Sequence, residues 1–327
     1  MRNKFTLTIL CVAISYFTVN AKVWTVSNKD TNNADFDKIQ SAINSNAVGG
    51  GDTLYIEGSP VRYDDFTTIK RIVIIGPGYL LNKNQNSANV DQVFVNTAKF
   101  NVGSDGSVII GITLNYNSNS GITVAADNIM IERCYVNVIG LSDGVRGTII
   151  KNNYVGYYID DYNSNTTFSN AVVMNNVIIG GMGTNSGSTF SIFDNNILAG
   201  TNYTLNSQTF RNNIITNGSG TFKITSSNKT NNIATNDIFL NDSKNYDIKN
   251  VTDLFVGGDS PDGKYVLSTN SYAKGKGHDG KDCGIFGGEN PYVLSGLPTT
   301  PVITVLDTDG IGTKEDGLKI KLGVKSF

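Results

Sequence analysis

Charge of either sign is scarce in this chain, and the two signs nearly cancel. Of the 327 residues, 17% are charged, and the net charge at pH 7 is −2; about a quarter is usual in soluble domains. Because the chain has no basic excess, we do not expect a nucleic acid as its partner. Proline is rare too, with 6 residues, yet apolar residues recur throughout. The composition therefore excludes a low-complexity disordered protein, and the length allows one large domain or two smaller ones.

The apolar run at the N-terminus is too short to cross a membrane, so no transmembrane segment is expected. It occupies residues 5–17, follows the positive charges of Arg2 and Lys4, and precedes the small-residue sequence "VNA" that ends at Ala21. This pattern predicts an export signal cleaved near Ala21, which makes the mature protein secreted or cell-surface. A buried N-terminal strand or a membrane anchor is the alternative for this segment.

Asparagine and glycine are abundant, with 42 and 35 residues. Both tolerate positive φ, so the chain is rich in tight turns. Adjacent asparagine pairs recur with their first members at positions 152, 175, 195, 212 and 231, and Arg133 precedes them at the equivalent position. Spacings of 17 to 23 residues, with an apolar column on each side of the pair, are typical of a solenoid. Helical repeats need longer units, and the framework of leucine-rich repeats is missing.

Short β segments separated by Asn and Gly turns predict an all-β, right-handed parallel β-helix of about ten coils. Each coil is expected to add three strands to three sheets, with an Asn of positive φ as a one-residue turn. The first member of each pair should face solvent, because Arg133 is accepted at that position. The second members should point inward and form a hydrogen-bonded ladder: Asn153, Asn176, Asn196, Asn213 and Asn232.

The two ends of the repeat carry their own patterns. Apolar residues at helical spacing in 36–43 predict a short helix that covers the first coil. The glycine-rich residues 277–288 should close the last coil, and two alternating segments after Gly296 predict a small strand pair. We therefore divide the chain into a signal peptide (1–21), one β-helix domain with its caps (22–295) and a C-terminal strand appendix (296–327).

Cys134 and Cys283 are the cysteines of the mature chain, and they are 149 residues apart. In a coiled repeat this separation corresponds to about seven coils, or roughly 30 Å along the axis. A disulfide needs Cα atoms within about 7 Å. Both thiols are therefore predicted to be free and buried.

These features together resemble the pectate-lyase-like right-handed parallel β-helix family, and in particular secreted bacterial β-helix proteins without an assigned activity. The resemblance rests on "FDKIQSAINSN" and "GGGDTLYIEG" near the start, the asparagine-pair coils, and "SYAKGKGHDGKDCGIFGG" with "NPYVLSGLPTTPVITVLDTDG" near the end. It implies a polysaccharide groove along the first sheet. The lyases of this family pair a calcium-binding carboxylate cluster with an Arg or Lys base, and its hydrolases use two or three aspartates.

The best local match to such chemistry is "YYIDDYN", residues 157–163, in the longest repeat unit of 23 residues. Asp160 and Asp161 resemble the paired aspartates of polygalacturonase-like hydrolases, and Asp143 and Arg146 in the preceding coil could neighbour them. The other motifs of those hydrolases are missing, and His278 is expected about five to six coils away, too far to cooperate. A solvated loop with a charge pair is the alternative interpretation.

Three tyrosines of the same loop are candidates for stacking against a sugar, namely Tyr157, Tyr158 and Tyr162. Burial in the core is the alternative for each of them, and it is favoured for Tyr154, which occupies an apolar column. A polysaccharide or a cell-surface glycan is the expected partner.

A carboxylate-rich segment at 307–317 resembles a calcium loop. Its twelfth position is Leu318, however, where an EF-hand needs a bidentate Glu. A polar hairpin loop is the better prediction, so we expect no cofactor and no metal site, with Ca²⁺ as the alternative.

The coil surface is poor in charge and has no converging set of acid and base groups. The sequence therefore favours a secreted or cell-surface protein that interacts with carbohydrate without catalysis. One alternative is a polysaccharide lyase or glycoside hydrolase that acts on an acidic polysaccharide through residues 143–162. The other is a structural adhesin or scaffold that binds a protein partner through the C-terminal strands.

Overall fold

The computed structural model describes residues 21–30, 33–84, 88–163, 165–217, 219–235, 237–240, 242–298, 301–308, 310, 312, 314 and 317–326. Of the predicted export signal at 1–21, residues 1–20 lie outside these residues. The described chain is an all-β solenoid of parallel strands with about nine turns, and it ends in a small antiparallel strand pair. The prediction of an all-β parallel solenoid with a C-terminal strand pair is confirmed.

Two sheets of 11 strands each run the length of the solenoid. Sheet 1 contains the strands Val23–Val26, Thr53–Ile56, Val73–Ile75, Val108–Ile110, Met130–Glu132, Ile149–Lys151, Ala171–Met174, Met182–Gly183, Phe190–Asp194, Asn202–Arg211 and Thr221–Thr230. Sheet 2 contains the strands Phe66–Thr68, Thr97–Phe100, Thr113–Leu114, Gly121–Val124, Tyr135–Leu141, Tyr154–Asp161, Val177–Ile178, Ile197–Leu198, Ile214–Ile215, Ile233–Thr235 and Tyr246–Ile248.

The sequence predicts three sheets along the solenoid, but the structure has two. Two of the three series of paired strands share one long strand and therefore form a single sheet. Strand Tyr135–Leu141 pairs with Thr113–Leu114 through its first residues and with Gly121–Val124 through its last ones. Strand Tyr135–Leu141 thus continues through a corner at which other coils pass from one face to the next. Strand Tyr154–Asp161 pairs with it and continues through the same corner. The long strands therefore remove one of the expected boundaries between sheets.

Alternate residues of each strand point into the solenoid and form its interior core. The column two residues before positions 133, 152, 175, 195 and 212 is fully buried and consists of Ile131, Ile150, Val173, Phe193 and Phe210. The partly exposed Lys229 continues it before the last pair. The rings of Phe193 and Phe210 stack with centroids 5.4 Å apart. Interior burial of this kind contributes about 1.5–3 kcal/mol per large apolar side chain.

The predicted inward ladder is confirmed, with all five side chains fully buried. The backbone N–H of Asn153 and its side-chain Nδ2 both donate to Oδ1 of Asn176, at 2.9 and 3.0 Å. The same pair of bonds repeats from coil to coil. At the last rung Asn232 donates to Asn245, which follows after 13 residues and was missed because it is not in a pair. Every buried amide in the ladder therefore has a partner.

The first members of the pairs form the one-residue turns, with φ between 53° and 59°. Asparagine tolerates this left-handed conformation better than other residues with a Cβ, which explains its recurrence. The prediction that this column faces solvent is wrong, because its members at 133, 152, 175, 195 and 212 are buried. Asn175 Nδ2, for example, donates to the carbonyl oxygens of Ile285 and Gly287 at 2.8 and 2.9 Å.

The segment that covers this column, residues 251–297, is named the C-terminal wrap. It lies along the side of the solenoid instead of closing its last coil, so the prediction for residues 277–288 is wrong. Asn231 Nδ2 donates to Lys276 O at 2.9 Å near the C-terminal end of the solenoid, whereas Tyr79 N donates to Ser295 O at 2.8 Å near the N-terminal end. Short 3₁₀ turns at Thr252–Leu254, Gly263–Tyr265 and Leu294–Gly296 shape the wrap.

A second hydrophobic core lies between sheet 2 and the wrap. The residue after each asparagine pair points outward, and this column contains Tyr154, Val177, Ile197, Ile214 and Ile233. The wrap covers the column with side chains that include Leu254, Tyr265, Ile285 and Tyr292. The part of sheet 2 under the wrap is therefore apolar on both surfaces, as is typical of parallel sheets that are covered on both sides.

Both cysteines are free and buried, as predicted. Cys134 belongs to the interior core and Cys283 to the core under the wrap. The predicted separation of seven coils is too large, because the wrap runs back along the solenoid and brings Cys283 Sγ within 3.1 Å of Asn231 O. The two thiols are about five coils apart, which still excludes a disulfide.

The N-terminal helix spans Ile39–Asn44 and buries Ile39, Ala42 and Ile43, as predicted. A second helix of one turn, Leu81–Asn84, contacts the wrap: Asn84 Nδ2 donates to Oδ1 of the buried Asp262 at 3.1 Å. Among the described residues, no helix is both long and apolar enough to cross a membrane.

The C-terminal hairpin consists of Val302–Thr308 and Ile320–Lys325. It contacts the first coils, where Ala88 N donates to Ile303 O at 2.8 Å. Its register places one set of aliphatic side chains on a common face, and these are 44–61% exposed: Ile303, Leu306, Ile320, Leu322 and Val324. Of the carboxylates in the predicted loop, Asp309, Glu315 and Asp316 lie outside the described residues.

Candidate functional site

An open groove of about 490 Å³ lies on the outer surface of sheet 2, across the strands of the long coil. Strand pairing aligns Thr97–Phe100, Gly121–Val124, residues 138–141 and residues 158–161 side by side. Hydrogen-bonding side chains line much of the groove, contributed by Thr97, Asn119, Thr123, Asn163 and Asn185, together with the side chains of Tyr158, Asp160 and Tyr162. No Lys, Arg or His lies among the lining residues.

The groove floor is flat because small residues occupy outward positions on adjacent strands. A Cβ at Gly121 would lie 2.1 Å from the carbonyl oxygen of Val138, so no larger residue fits there. Gly140 leaves room for the ring of Tyr162, whose Cδ2 would be 3.1 Å from a Cβ at that position. Gly183, at one end, faces open space. Absent side chains therefore create the groove, as is common where a ligand approaches the backbone.

Two of the three predicted tyrosines line the groove. Tyr158 and Tyr162 are 40% and 51% exposed and border it with their rings. Tyr157 is 44% exposed but is not among the lining residues, because the strand turns a corner there and its side chain lies off the groove. Tyr154 is buried against Tyr135, with ring centroids 4.8 Å apart, so its assignment to the core is confirmed.

Asp160 is the carboxylate that points outward into the groove. Its position pairs with Gly140 on the neighbouring strand, and its side chain points outward and is partly buried. Burial is the main influence on its pKa and raises it. The hydrogen bond from the backbone N–H of Asp161 lowers the pKa, the charge of Asp161 raises it, and the net result is a pKa raised to about 6. None of the ion pairs formed by the described residues includes Asp160. It is therefore a hydrogen-bonding group that changes its charge near neutral pH.

Asp161 points the opposite way and is a structural residue. It occupies the inward column that holds Phe100, Val124 and Leu141 in the preceding coils. Its carboxylate accepts the backbone N–H of Asn185 at 2.6 Å and the hydroxyl of Ser188. These bonds fix the loop of the next coil, so the interpretation of Asp160 and Asp161 as a catalytic pair has no support in the geometry.

Asp143 and Arg146 are absent from the groove lining. Both belong to the turn that follows strand Tyr135–Leu141 and are exposed. Asp143 accepts the N–H of Thr167 at 3.0 Å, and the Arg146 N–H donates to Asp127 at 2.8 Å. His278 lies closer than predicted, about three coils from the long coil, because its N–H donates to Asn212 Oδ1 at 2.8 Å. It is in the wrap and does not line the groove.

A metal centre is not apparent in the described part of the chain. No group of three or more His, Cys, Asp or Glu side chains among those residues could hold a metal ion. In the segment that resembles a calcium loop, Asp307 stands opposite Lys321 in the hairpin register. The groove therefore offers hydrogen bonds and aromatic rings as its means of recognition.

The amide and hydroxyl side chains of Thr97, Asn119, Thr123, Asn163 and Asn185 in the groove were not predicted from the sequence. Asn119, Asn163 and Asn185 come from three of four successive coils and meet only after folding. A signal was present, since each lies in a loop longer than the one-residue asparagine turn. Comparisons of the chain with protein-family models, with curated proteins and with solved structures gave no match.

Proposed function

We propose that this protein works outside the cytoplasm and binds a neutral polysaccharide in the groove of sheet 2 without catalysing a reaction on it. The observation that carries the proposal is the groove lining: exposed Tyr158 and Tyr162 next to uncharged hydrogen-bonding side chains on a flat floor. The apolar face of a sugar ring packs on an aromatic ring, and amides and hydroxyls satisfy the sugar hydroxyls. The N-terminal export pattern supports the location.

The chemistry of the lining favours binding over turnover. A glycoside hydrolase needs two carboxyl groups on opposite sides of the scissile bond. Asp160 and Asp161 both border this groove, but the Asp161 carboxylate points inward and accepts from Asn185 N and the Ser188 hydroxyl, which leaves Asp160 alone to face a ligand. A lyase needs a base and a cation for the uronate carboxylate, and the lining contains no Lys, Arg or His. The lack of a cation also favours a neutral sugar over an acidic one.

The first test measures the binding of soluble polysaccharides by affinity electrophoresis and calorimetry. Tyr158→Ala and Tyr162→Ala should each weaken binding on the order of tenfold, because each removes one stacking surface worth about 1.4 kcal/mol. Tyr157→Ala is the matched control: the side chain is equally exposed but lies off the groove. Equal losses in all three variants would argue against this groove.

Gly183→Phe provides a second test, since it fills the groove instead of removing a contact. No atom lies within 4 Å of a Cβ at Gly183, so the ring should be accommodated without strain and should block the ligand. Gly50→Phe is the control, because Gly50 also faces open space but lies in an N-terminal loop. Binding that survives Gly183→Phe would overturn the proposed location.

The raised pKa of Asp160, about 6, favours one alternative, a hydrolase or lyase with Asp160 as proton donor. The binding panel should therefore include acidic polysaccharides with Ca²⁺ and an assay of the products. Turnover by the wild type that is lost in Asp160→Ala would replace the non-catalytic proposal.

The exposed aliphatic face of the C-terminal hairpin favours a third function, a scaffold that binds a protein partner. Removal of residues 299–327 distinguishes it from glycan binding. If the groove is the functional site, this deletion leaves polysaccharide binding unchanged. If no glycan binds and the deletion abolishes attachment of the protein to its native surface, the scaffold function is supported.

A further inference from the structure

Sheet 1 carries apolar side chains on its outer surface as well as on its inner one. Strand pairing aligns Val108, Met130, Ile149, Val172 and Ile192 in one outward column. These side chains are partly exposed, and neither hydrophobic core of the described residues includes them. Parallel strands that are apolar on both surfaces are usually covered on both. The column is therefore a surface that suits a partner.

A neighbouring outward column of sheet 1 alternates in charge. On successive strands it holds Glu132, Lys151, Met174, Asp194 and Arg211. Lys151 Nζ lies 3.2 Å from Glu132 Oε2, and Arg211 Nη2 lies 2.6 Å from Asp194 Oδ2. The four charges are therefore held in fixed positions before any partner arrives, which lowers the entropy lost on binding.

We propose that the partner is a second copy of this chain, packed face to face and antiparallel about a two-fold axis at strand Ala171–Met174. The axis lies parallel to the strands, so it reverses the order of the coils. Lys151 then faces Asp194 of the second copy, and Glu132 faces its Arg211. An interface of this kind is isologous, with the same patch used on both copies.

The charge pattern selects this register over its neighbours. A slip of one coil in one direction brings Glu132 opposite Asp194 of the second copy, and a slip in the other direction brings Lys151 opposite Arg211. A parallel arrangement brings each charge opposite itself. All three alternatives place like charges together, whereas the proposed register pairs opposite ones, so repulsion supplies the specificity.

The centre of the apolar column supplies the affinity: Val172 meets its own copy, and Ile149 faces Ile192 of the second copy. Farther from the axis the contacts are mixed, because Met130 faces Thr209 and Val108 faces Asn228. From Val108 to its symmetric position on strand Thr221–Thr230 the surface covers six strand spacings, or about 29 Å. It is narrow and distinct from the groove on sheet 2, so glycan binding and dimer formation are independent properties. An interface of this size favours a reversible, concentration-dependent dimer.

Sedimentation velocity across a concentration series is the first experiment. We expect the wild-type protein to shift from monomer to dimer with concentration. Val172→Lys should keep it monomeric, because two lysines would meet at the axis. Thr67→Lys is the matched control, since Thr67 is a partly exposed outward residue of sheet 2 outside the groove, and it should leave the dimer intact. A wild type that stays monomeric, or a dimer that survives Val172→Lys, overturns the proposal.

Cysteine crosslinking tests the register with a gentler change. In a Cys11→Ser background, with Cys134 and Cys283 buried, Val172→Cys should crosslink the two copies with a short bis-maleimide. Val108→Cys is the control: the strand lies three spacings from the axis, so the two thiols would be about 29 Å apart. Crosslinking by Val108→Cys in place of Val172→Cys overturns this register even if a dimer forms.

Discussion

Asn175 and Asn176 are adjacent in the chain and meet different physical requirements. Asn175 takes a left-handed backbone with φ of 54° and turns the chain, and its side chain donates to the wrap. Asn176 is fully buried, and its Nδ2 and backbone N–H donate to Asn196 Oδ1 at 3.1 and 3.0 Å. Asparagine suits both positions because it tolerates positive φ and has a donor and an acceptor on one short side chain.

Asp160 leads to a prediction about pH. Its pKa is raised to about 6 in the folded protein, chiefly by burial, from an ordinary value of 3.8. The folded state therefore holds this proton more tightly than the unfolded chain, and stability falls as pH rises from about 4 to about 6. Asp160→Asn should therefore raise the free energy of unfolding at pH 7 by about 1 kcal/mol, a value that is reduced because solvent screens the partly exposed carboxylate. At pH 4 we expect no gain, because Asp160 is already neutral in the folded protein.

Denaturant unfolding at the two pH values measures this effect. Asp143→Asn is the control, since it removes an exposed carboxylate outside the groove. If Asp160→Asn gains no more stability at pH 7 than Asp143→Asn does, the partly buried carboxylate does not destabilise the fold.

The alternation of side chains along a strand explains which predicted residues belong to the site. Successive residues of a strand point to opposite surfaces, so Asp160 and Asp161 could not both enter one groove once 154–161 was recognised as a strand. The same rule puts Tyr158 outward beside Asp160. Asp143 and Arg146 could not be placed from the sequence, because the turn that holds them has no periodicity.

Among the elements, the wrap is the one that the repeat pattern does not reveal. Both residues after each asparagine pair are apolar, as in Val177-Ile178 and Ile197-Leu198, and this doubling indicates burial on both surfaces of sheet 2. The sequence thus contained the evidence for a cover. The identity of the cover was not predictable, because residues 251–297 have few regular strands and are ordered mainly by side-chain contacts.

Asp262 should control the attachment of the wrap. Fully buried, it accepts hydrogen bonds from Asn84 Nδ2, from its neighbour Gly263 N, and from Ser295 N at 2.8 Å. Asp262→Ala leaves Ser295 N without its acceptor, a loss of about 1–3 kcal/mol. Asn84 Nδ2 and Gly263 N keep the hydroxyl oxygens of Ser295 and Ser260 as acceptors. We therefore expect the wrap to open locally more often, while the interior core of the solenoid stays closed.

Cys283 lies under the wrap and Cys134 lies in the interior core, so one thiol-labelling experiment measures the opening of each region separately. Burial raises the pKa of both Cys134 and Cys283 to about 12, so both should react slowly with a disulfide reagent in the native protein. Asp262→Ala should accelerate the labelling of Cys283 and leave Cys134 slow. Asp253→Ala, which changes an exposed carboxylate of the wrap, should change neither rate. Equal acceleration of both thiols would indicate general destabilisation instead.

At the scale of the whole molecule, the wrap connects coils that are distant along the solenoid. Lys276 meets Asn231 near one end, and Ser295 meets Tyr79 near the other. A simple solenoid has contacts only between neighbouring repeats and can unfold in parts. Here the long connection should make unfolding more cooperative than the repeat alone would allow.

Deletion of residues 251–327 tests this expectation. The truncated chain exposes Val177, Ile197, Ile214 and Ile233, so we expect a lower and broader thermal transition in calorimetry, with binding of a hydrophobic dye. Deletion of residues 299–327 alone is the control, because both hydrophobic cores lie before that point. A transition as sharp as that of the complete chain after the longer deletion would contradict the linking role.

The position of the wrap in the chain also orders the events of synthesis. Residues 251–297 leave the ribosome after every strand of sheets 1 and 2, so the outward column from Tyr154 to Ile233 stays bare until the end. An unfinished chain, or one that has lost its C-terminal part to a protease, displays an apolar stripe about five coils long. Completion of the chain hides that stripe, so quality-control factors that bind apolar surface should distinguish whole molecules from fragments.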